Sequence, residues 1–453
     1  MPADPRLAAA TRAYPATRLG EMGTPGRDFE AARAALENIL RSDAKGDVAA
    51  AAAFRMGLLR MDPANPRADL DAARASFLDV LRRSPRAPDA AAALEAAALC
   101  QRLRGESAAA SALEVRLLTE HAADPAAARA RVRLARDAAA KRDASLAKRL
   151  LPAEGDTEAV ADARGLAALV DRAAGDRPDT LGGRTIDERF TSPVVQSPIG
   201  LAVTSKGLVV LDGEDGSLVR TDGGQSAPSG AEPARGVTVD PAGRVWTWDE
   251  KGVTTPDGRR VVPQRPARAG DTPEPVKKIV ALATGPAGVI DLVDAGSEQV
   301  LRYGPGFVLR GAVPLPARPL AATRAEDGTL DVLLASRPRQ IFTLRPGAPA
   351  AGWPAREGGT AGVWPTATVV LEGPEWELSD PVAIARDALG RRYVVDDASR
   401  SVTIFDAEGR RVATIAPPKG TAGELRSPSA IAVDGAGLVY VADRKQGRVV
   451  RFR

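Results

Sequence analysis

The chain has 453 residues, too many for one ordinary core, so two or three domains are expected. Its 62 Lys+Arg and 58 Asp+Glu residues are interspersed and leave a formal charge of +4, a weak field that speaks against a nucleic-acid face. A single cysteine, Cys100, excludes an internal disulfide, and no stretch is apolar enough to span a bilayer.

The first residues, MPADPRLAAATRAYPATRLGEMG, lack the basic cluster and apolar run of a signal peptide. Cytoplasmic residence is the direct expectation. A misassigned start or a removed leader would move it to the cell envelope or periplasm. Residues 1–25 read as a flexible N-terminal extension.

Residues 26–174 are rich in Ala, Leu, Arg and Glu and read as helix. Residues 28–41 place Phe29, Ala32, Leu36, Ile39 and Leu40 at helical spacing, with Asp28 as the cap. A second helix is expected over 47–60. The arrangement returns 41 positions on, where Leu70 falls on Phe29, Phe77 on Leu36 and Val80 on Ile39. A third copy sets Leu118 on Leu81 and Pro125 on Pro88. Each unit reads as an antiparallel helix pair with small Ala faces, and Pro85 and Pro125 separate its helices. This half resembles the tetratricopeptide (TPR) repeat family over about residues 26–150. The Ala positions and the late Pro are present, while the family's Trp and Gly-Tyr positions are not. The resemblance implies a concave face that docks a helix or an extended peptide. Residues 156–174 read as a last, capping helix. His121, the only histidine, is expected to serve a helix end, and Cys100 to pack as a small buried hydrophobe.

Residues 175–184 (GDRPDTLGGR) have the composition of a linker. Beyond them the composition changes to Val, Gly, Pro, Thr and Asp, which favours strands and turns. Six units of period-2 strands follow, divided by turn pairs such as Lys206-Gly207, Ala242-Gly243, Asp327-Gly328 and Ala436-Gly437. The last two, 380–406 and 427–453, are copies of one pattern. Such units cannot bury their own faces and must stack. IAVD, YVAD and the Arg448-Val449 strand resemble the NHL repeat family, although Gln446 stands where that family commonly has Asn. The resemblance implies a six-bladed β-propeller over 185–453. The fold class expected is therefore multidomain α plus all-β. The last unit ends after three strands, so residues 185–195 are expected to supply its fourth and close the ring.

Propellers of this resemblance include lactonase-like and lyase-like enzymes that hold a metal in the central channel. The propeller half contains no His, Cys or Asn, so no metal site, cofactor or catalytic residue is assigned. A carboxylate-only calcium group at Asp212, Glu214 and Asp215 is the remaining option, read instead as an exposed turn. Asp240, Asp396, Asp434 and Asp443 recur at strand ends and read as turn caps. Trp246 and Trp248 share one face of a strand and are the candidate ligand-facing pair, with inner packing as the alternative. The expectation is a non-enzymatic scaffold. It would bind protein or peptide partners, or a glycan on the propeller; nucleic acid is disfavoured. A metal-dependent propeller hydrolase or lyase and an RNA-binding propeller are the alternatives.

Overall fold

A computed structural model describes residues 5–22, 27–42, 45–62, 65, 67–104, 106–141, 143–152, 157–175, 183–185, 195–204, 206–220, 225–226, 233–240, 243–265, 273–285, 289–325, 328–344, 366–370 and 378–452. The order is helices, then strands, as the composition shift implies.

The helices are α1 (Pro5–Ala13), α2 (Phe29–Ser42), α3 (Asp47–Met61), α4 (Leu70–Arg83), α5 (Ala90–Leu103), α6 (Ser107–Glu120), α7 (Pro125–Ala140), α8 (Ala144–Leu150) and α9 (Thr157–Gly175). Asp side chains start several of them by accepting free backbone N–H groups. Asp28 accepts from Ala31, Asp69 from Asp71 and Ala72, Asp124 from Ala126, and Asp143 from Leu146. From α2 to α7 each helix packs on the next. Close approach needs small residues. A Cβ on Gly57 of α3 would stand 2.4 Å from the Phe77 ring of α4.

The N-terminal segment differs from the flexible extension expected. Helix α1 packs on α2, and Tyr14 is buried. The Tyr14 hydroxyl donates to Asp62 at 2.9 Å, and the Arg27 guanidinium lies 4.9 Å from the ring centre. An aromatic anchor with a buried acceptor holds this segment down. Helix α8 is a further element that the repeat pattern did not indicate.

The second half is a six-bladed propeller. Its six four-stranded sheets are antiparallel throughout. The inner strands are Pro198–Thr204, Gly236–Val239, Ile279–Thr284, Pro319–Arg324, Pro381–Arg386 and Pro428–Val433, in blades 1 to 6. Each touches the next, and the sixth touches the first, so the ring closes. Four begin with Pro, which is tolerated at the first position of a strand. Each of the six gaps between blades holds its own apolar cluster.

Closure uses the expected device at a different place. The strand Gly183–Thr185 pairs antiparallel with Arg448–Phe452, Gly183 opposite Phe452. Gly183 and Arg184 lie in the stretch read as linker and Thr185 at the start of the expected closing segment; a Gly pair resembles a linker whether or not its backbone is paired. Residues 186–194 of the expected strand lie outside the described residues.

Chain entry to four of the six blades is fixed by a carboxylate. Asp212, Asp294, Asp396 and Asp443 end second strands and are buried. They accept from the backbone N–H groups before their own inner strand: Gln196 and Ser197, Lys277 and Lys278, Ser379 and Asp380, Arg426 and Ser427. Gln446, at the NHL-like turn, donates to Asp443 at 2.6 Å and to the Glu424 carbonyl at 2.7 Å. The amide therefore braces the last blade.

Candidate functional site: the arginine end of the propeller channel

The six inner strands end on one face, and the turns that follow are not equivalent. In blades 2, 5 and 6 the next residue is Asp240, Asp387 or Asp434. Each accepts backbone N–H groups across its turn: Arg244, then Leu389 and Arg391, then Ala436 and Leu438. The other oxygen of each takes an aromatic donor from the second strand. Trp246 donates at 3.2 Å, Tyr393 at 2.9 Å and Tyr440 at 3.1 Å.

Blades 3 and 4 break this pattern. The turn acid is replaced by Gly285 and Ala325, and the aromatic position by Asp291 and Asp331. Both carboxylates are fully buried. Asp291 accepts from Arg302 at 2.8 and 3.0 Å, and from Arg324 at the end of the next inner strand. Asp331 accepts from Thr343 at 2.7 Å, Arg392 at 2.8 Å and Arg386 at 3.2 Å. Arg386 also ends an inner strand, one blade further round.

Among the described residues, each of these two gaps sets one carboxylate against two guanidiniums. Arg324 and Arg386 stand at equivalent positions in adjacent blades. Glycine makes room for the first: a Cβ on Gly285 would lie 2.7 Å from its guanidinium carbon. The Nε of Arg386 is buried without a hydrogen-bond partner among the described residues. Burial would raise the Asp331 pKa, but Arg386, Arg392 and Thr343 hold it below the ordinary carboxylate range. Burial pushes the Arg302 guanidinium down, against the pull of Asp291.

The candidate ligand-facing tryptophans lie in the core. Trp248 is buried between blades 2 and 3 and covers Gly236, where a Cβ would meet its ring at 2.0 Å. Trp246 is half-buried against the same cluster, with its N–H committed to Asp240. His121 follows α6, its own N–H donating to the Leu117 carbonyl, and Cys100 is buried with its thiol pushed up to about 12. In the helical half, a groove of about 370 Å³ lies between α2, α3 and α4, lined by Leu40, Met56, Arg60 and Asp79 among others.

A channel metal does not fit the residues described. No group of three His, Cys, Asp or Glu side chains comes together among them. Asp212 is spent on Gln196, Ser197 and Glu214 N–H groups, and Asp215 on Ser217. Among the described residues no helix is long and apolar enough to cross a membrane.

No family model and no curated protein matches this chain. Solved structures do. Virginiamycin B lyase from Staphylococcus aureus is 15% identical with a TM-score of 0.41; the match covers 60% of this chain and 98% of that one. A gluconolactonase from Xanthomonas campestris is 15% identical with a TM-score of 0.41, covering 61% of this chain and 95% of that one. An auxiliary nutrient binding protein from Bacteroides ovatus is 12% identical with a TM-score of 0.42, covering 61% and 72%. At these identities the likeness is one of fold. Enzymes stand among the proteins that share the propeller, so the expectation of a non-enzymatic scaffold is corrected: a poor supply of metal ligands does not exclude catalysis on this fold. The N-terminal helical region and the C-terminal β-propeller are read from the chain's own elements.

Proposed function

We propose that the propeller is a hydrolase or lyase of a small anionic molecule, captured at the arginine end of its channel. The observation that carries this is the pair of clusters in which Asp291 and Asp331 each face two guanidiniums, with Arg324 and Arg386 at adjacent strand ends. Preorganised buried donors suit a substrate carboxylate or phosphate. They suit equally the oxyanion that forms when an ester or lactone carbonyl is attacked, or when an enolate precedes elimination. The role assigned to Arg324 and Arg386 is to bind and orient the anion. Asp291 and Asp331 hold those guanidiniums in place. No step is routed through a metal. As finer readings of the two halves, the Ala and Pro spacing supports TPR-like repeats and the IAVD/YVAD strands support NHL-like blades.

The test is a panel of lactones and aryl esters, each with and without a carboxylate, assayed with Arg324→Gln and Arg386→Gln. Turnover confined to the anionic members, with KM raised about tenfold or more in each variant, is the expected result for a lost charge-assisted contact of about 1.5–3 kcal/mol. Equal turnover of neutral and anionic substrates, or variants with unchanged KM, would refute the reading. Near-UV circular dichroism identifies a variant that has lost its fold.

A further inference from the structure

The helical half touches the propeller on the face where the inner strands end. Ala388 and Leu389, in the turn directly after Arg386, pack into the apolar cluster of α7, α8 and α9 with Leu166, Leu169 and Val170. One turn further round, Gly165 of α9 lies so close to blade 6 that a Cβ would stand 3.1 Å from the Gly435 carbonyl oxygen. A second approach lies at the other end of the helical array. Asp62, buried at the end of α3, exerts its charge on Arg310, at the start of the outer strand of blade 3. That strand begins beside the same face, after the turn that follows the third strand.

The packed contacts lie at blades 5 and 6, and the charge of Asp62 approaches blade 3 at Arg310. The clusters of Asp291 and Asp331 lie in the gaps between blades 3, 4 and 5, within that sector. We propose that the helical half is a roof over the arginine end of the channel, and that it restricts by size what reaches Arg324 and Arg386. It is a specificity element built from the helical array, not a separate arm. Its packed seam with the propeller is apolar and small, at α9. Helices with Ala-rich faces suit this because they pack closely with few ordered side chains. The proposal concerns access alone, so it stands or falls without reference to any turnover.

Thiol labelling tests it on the intact chain, because Cys100 is buried and its raised pKa keeps it nearly silent. A cysteine is placed at Ala325, in the turn after Arg324, and another at Lys445, an exposed turn residue at the opposite ends of the strands. N-ethylmaleimide is expected to label both. A maleimide polymer of about 5 kDa should label Ala325→Cys at least about tenfold more slowly than Lys445→Cys, relative to the small reagent, since only access differs. Combining Ala325→Cys with Gly165→Leu or with Leu389→Asp pries the seam and should restore the polymer rate. Leu389→Ala is the milder variant if either of these fails to fold. Equal polymer rates at both positions in the parent overturn the roof. So does an Ala325→Cys that neither reagent labels, or seam variants that leave its protection unchanged.

Discussion

The charge state of Asp331 decides whether two neighbouring guanidiniums are paired or stranded. Its carboxylate faces Arg386 and Arg392, and Arg392 is 2% exposed. Removing one partner of a buried ion pair costs about 3–5 kcal/mol, because the survivor stays buried and unpaired. Asp331→Asn is therefore expected to lower unfolding stability by about that amount at pH 7, as read by urea denaturation. The pH dependence has a definite sign. The folded pKa lies below the unfolded value of about 4, so between the two the unfolded chain binds more protons. The contribution is fully present above the unfolded value and is lost as pH falls through the folded one. A wild type and an Asp331→Asn variant with equal acid dependence would remove this residue from the account. Packing makes a second residue-scale prediction. Gly236→Ala would drive a Cβ into Trp248 and should cost about 1–3 kcal/mol through overpacking. A neutral thermal melt for that variant would mean the ring is free to move.

At the scale of elements, the propeller is held by repetition and closed by one short strand. Four second strands end in a buried Asp that fixes the entry to its own blade, and six apolar clusters join neighbouring blades. The closing strand Gly183–Thr185 supplies the edge partner of Arg448–Phe452. Deleting these three residues should raise hydrogen exchange at 448–452 before any other blade, because an unpaired edge opens first. Exchange that rises uniformly would mean closure does not depend on this pairing. The sequence carried much of this level. Period-2 strands, turn glycines and the duplicated last units specify blades, and the three-stranded last unit implies a closing strand. Its position did not follow, because pairing across 260 residues leaves no local mark and the glycines around 182–183 read as linker. The helix pairs were legible from Phe29, Leu36 and Ile39 and their counterparts. Helices α1 and α8 were not, because short Ala-rich stretches carry little periodicity. The arginine clusters were hidden for another reason. Asp331 and Arg386 are 55 residues apart, on different units, and each reads alone as ordinary strand polarity. The signal that was present is a substitution: Asp291 and Asp331 occupy the place that Trp246, Tyr393 and Tyr440 hold elsewhere.

At the scale of the whole molecule, the two halves are expected to be separable modules, and the proposed seam is what would hold them together. The seam packs Leu389 into the cluster of α7, α8 and α9 and brings Gly435 against α9. Cleavage engineered between residues 176 and 182 should leave fragments that elute together from gel filtration, and separate elution would show that the seam contributes little. On the proposed function, the channel end between blades 3 and 5 binds an anion through Arg324 and Arg386. Isothermal titration of the intact protein with inorganic phosphate and with succinate tests this most directly, at low ionic strength where screening is weak. Saturable binding of at least one of these anions is expected, weakened about tenfold or more by Arg324→Gln and by Arg386→Gln, for loss of a charge-assisted hydrogen bond. No heat from either anion, or binding that persists unchanged when both arginines are replaced, would contradict it.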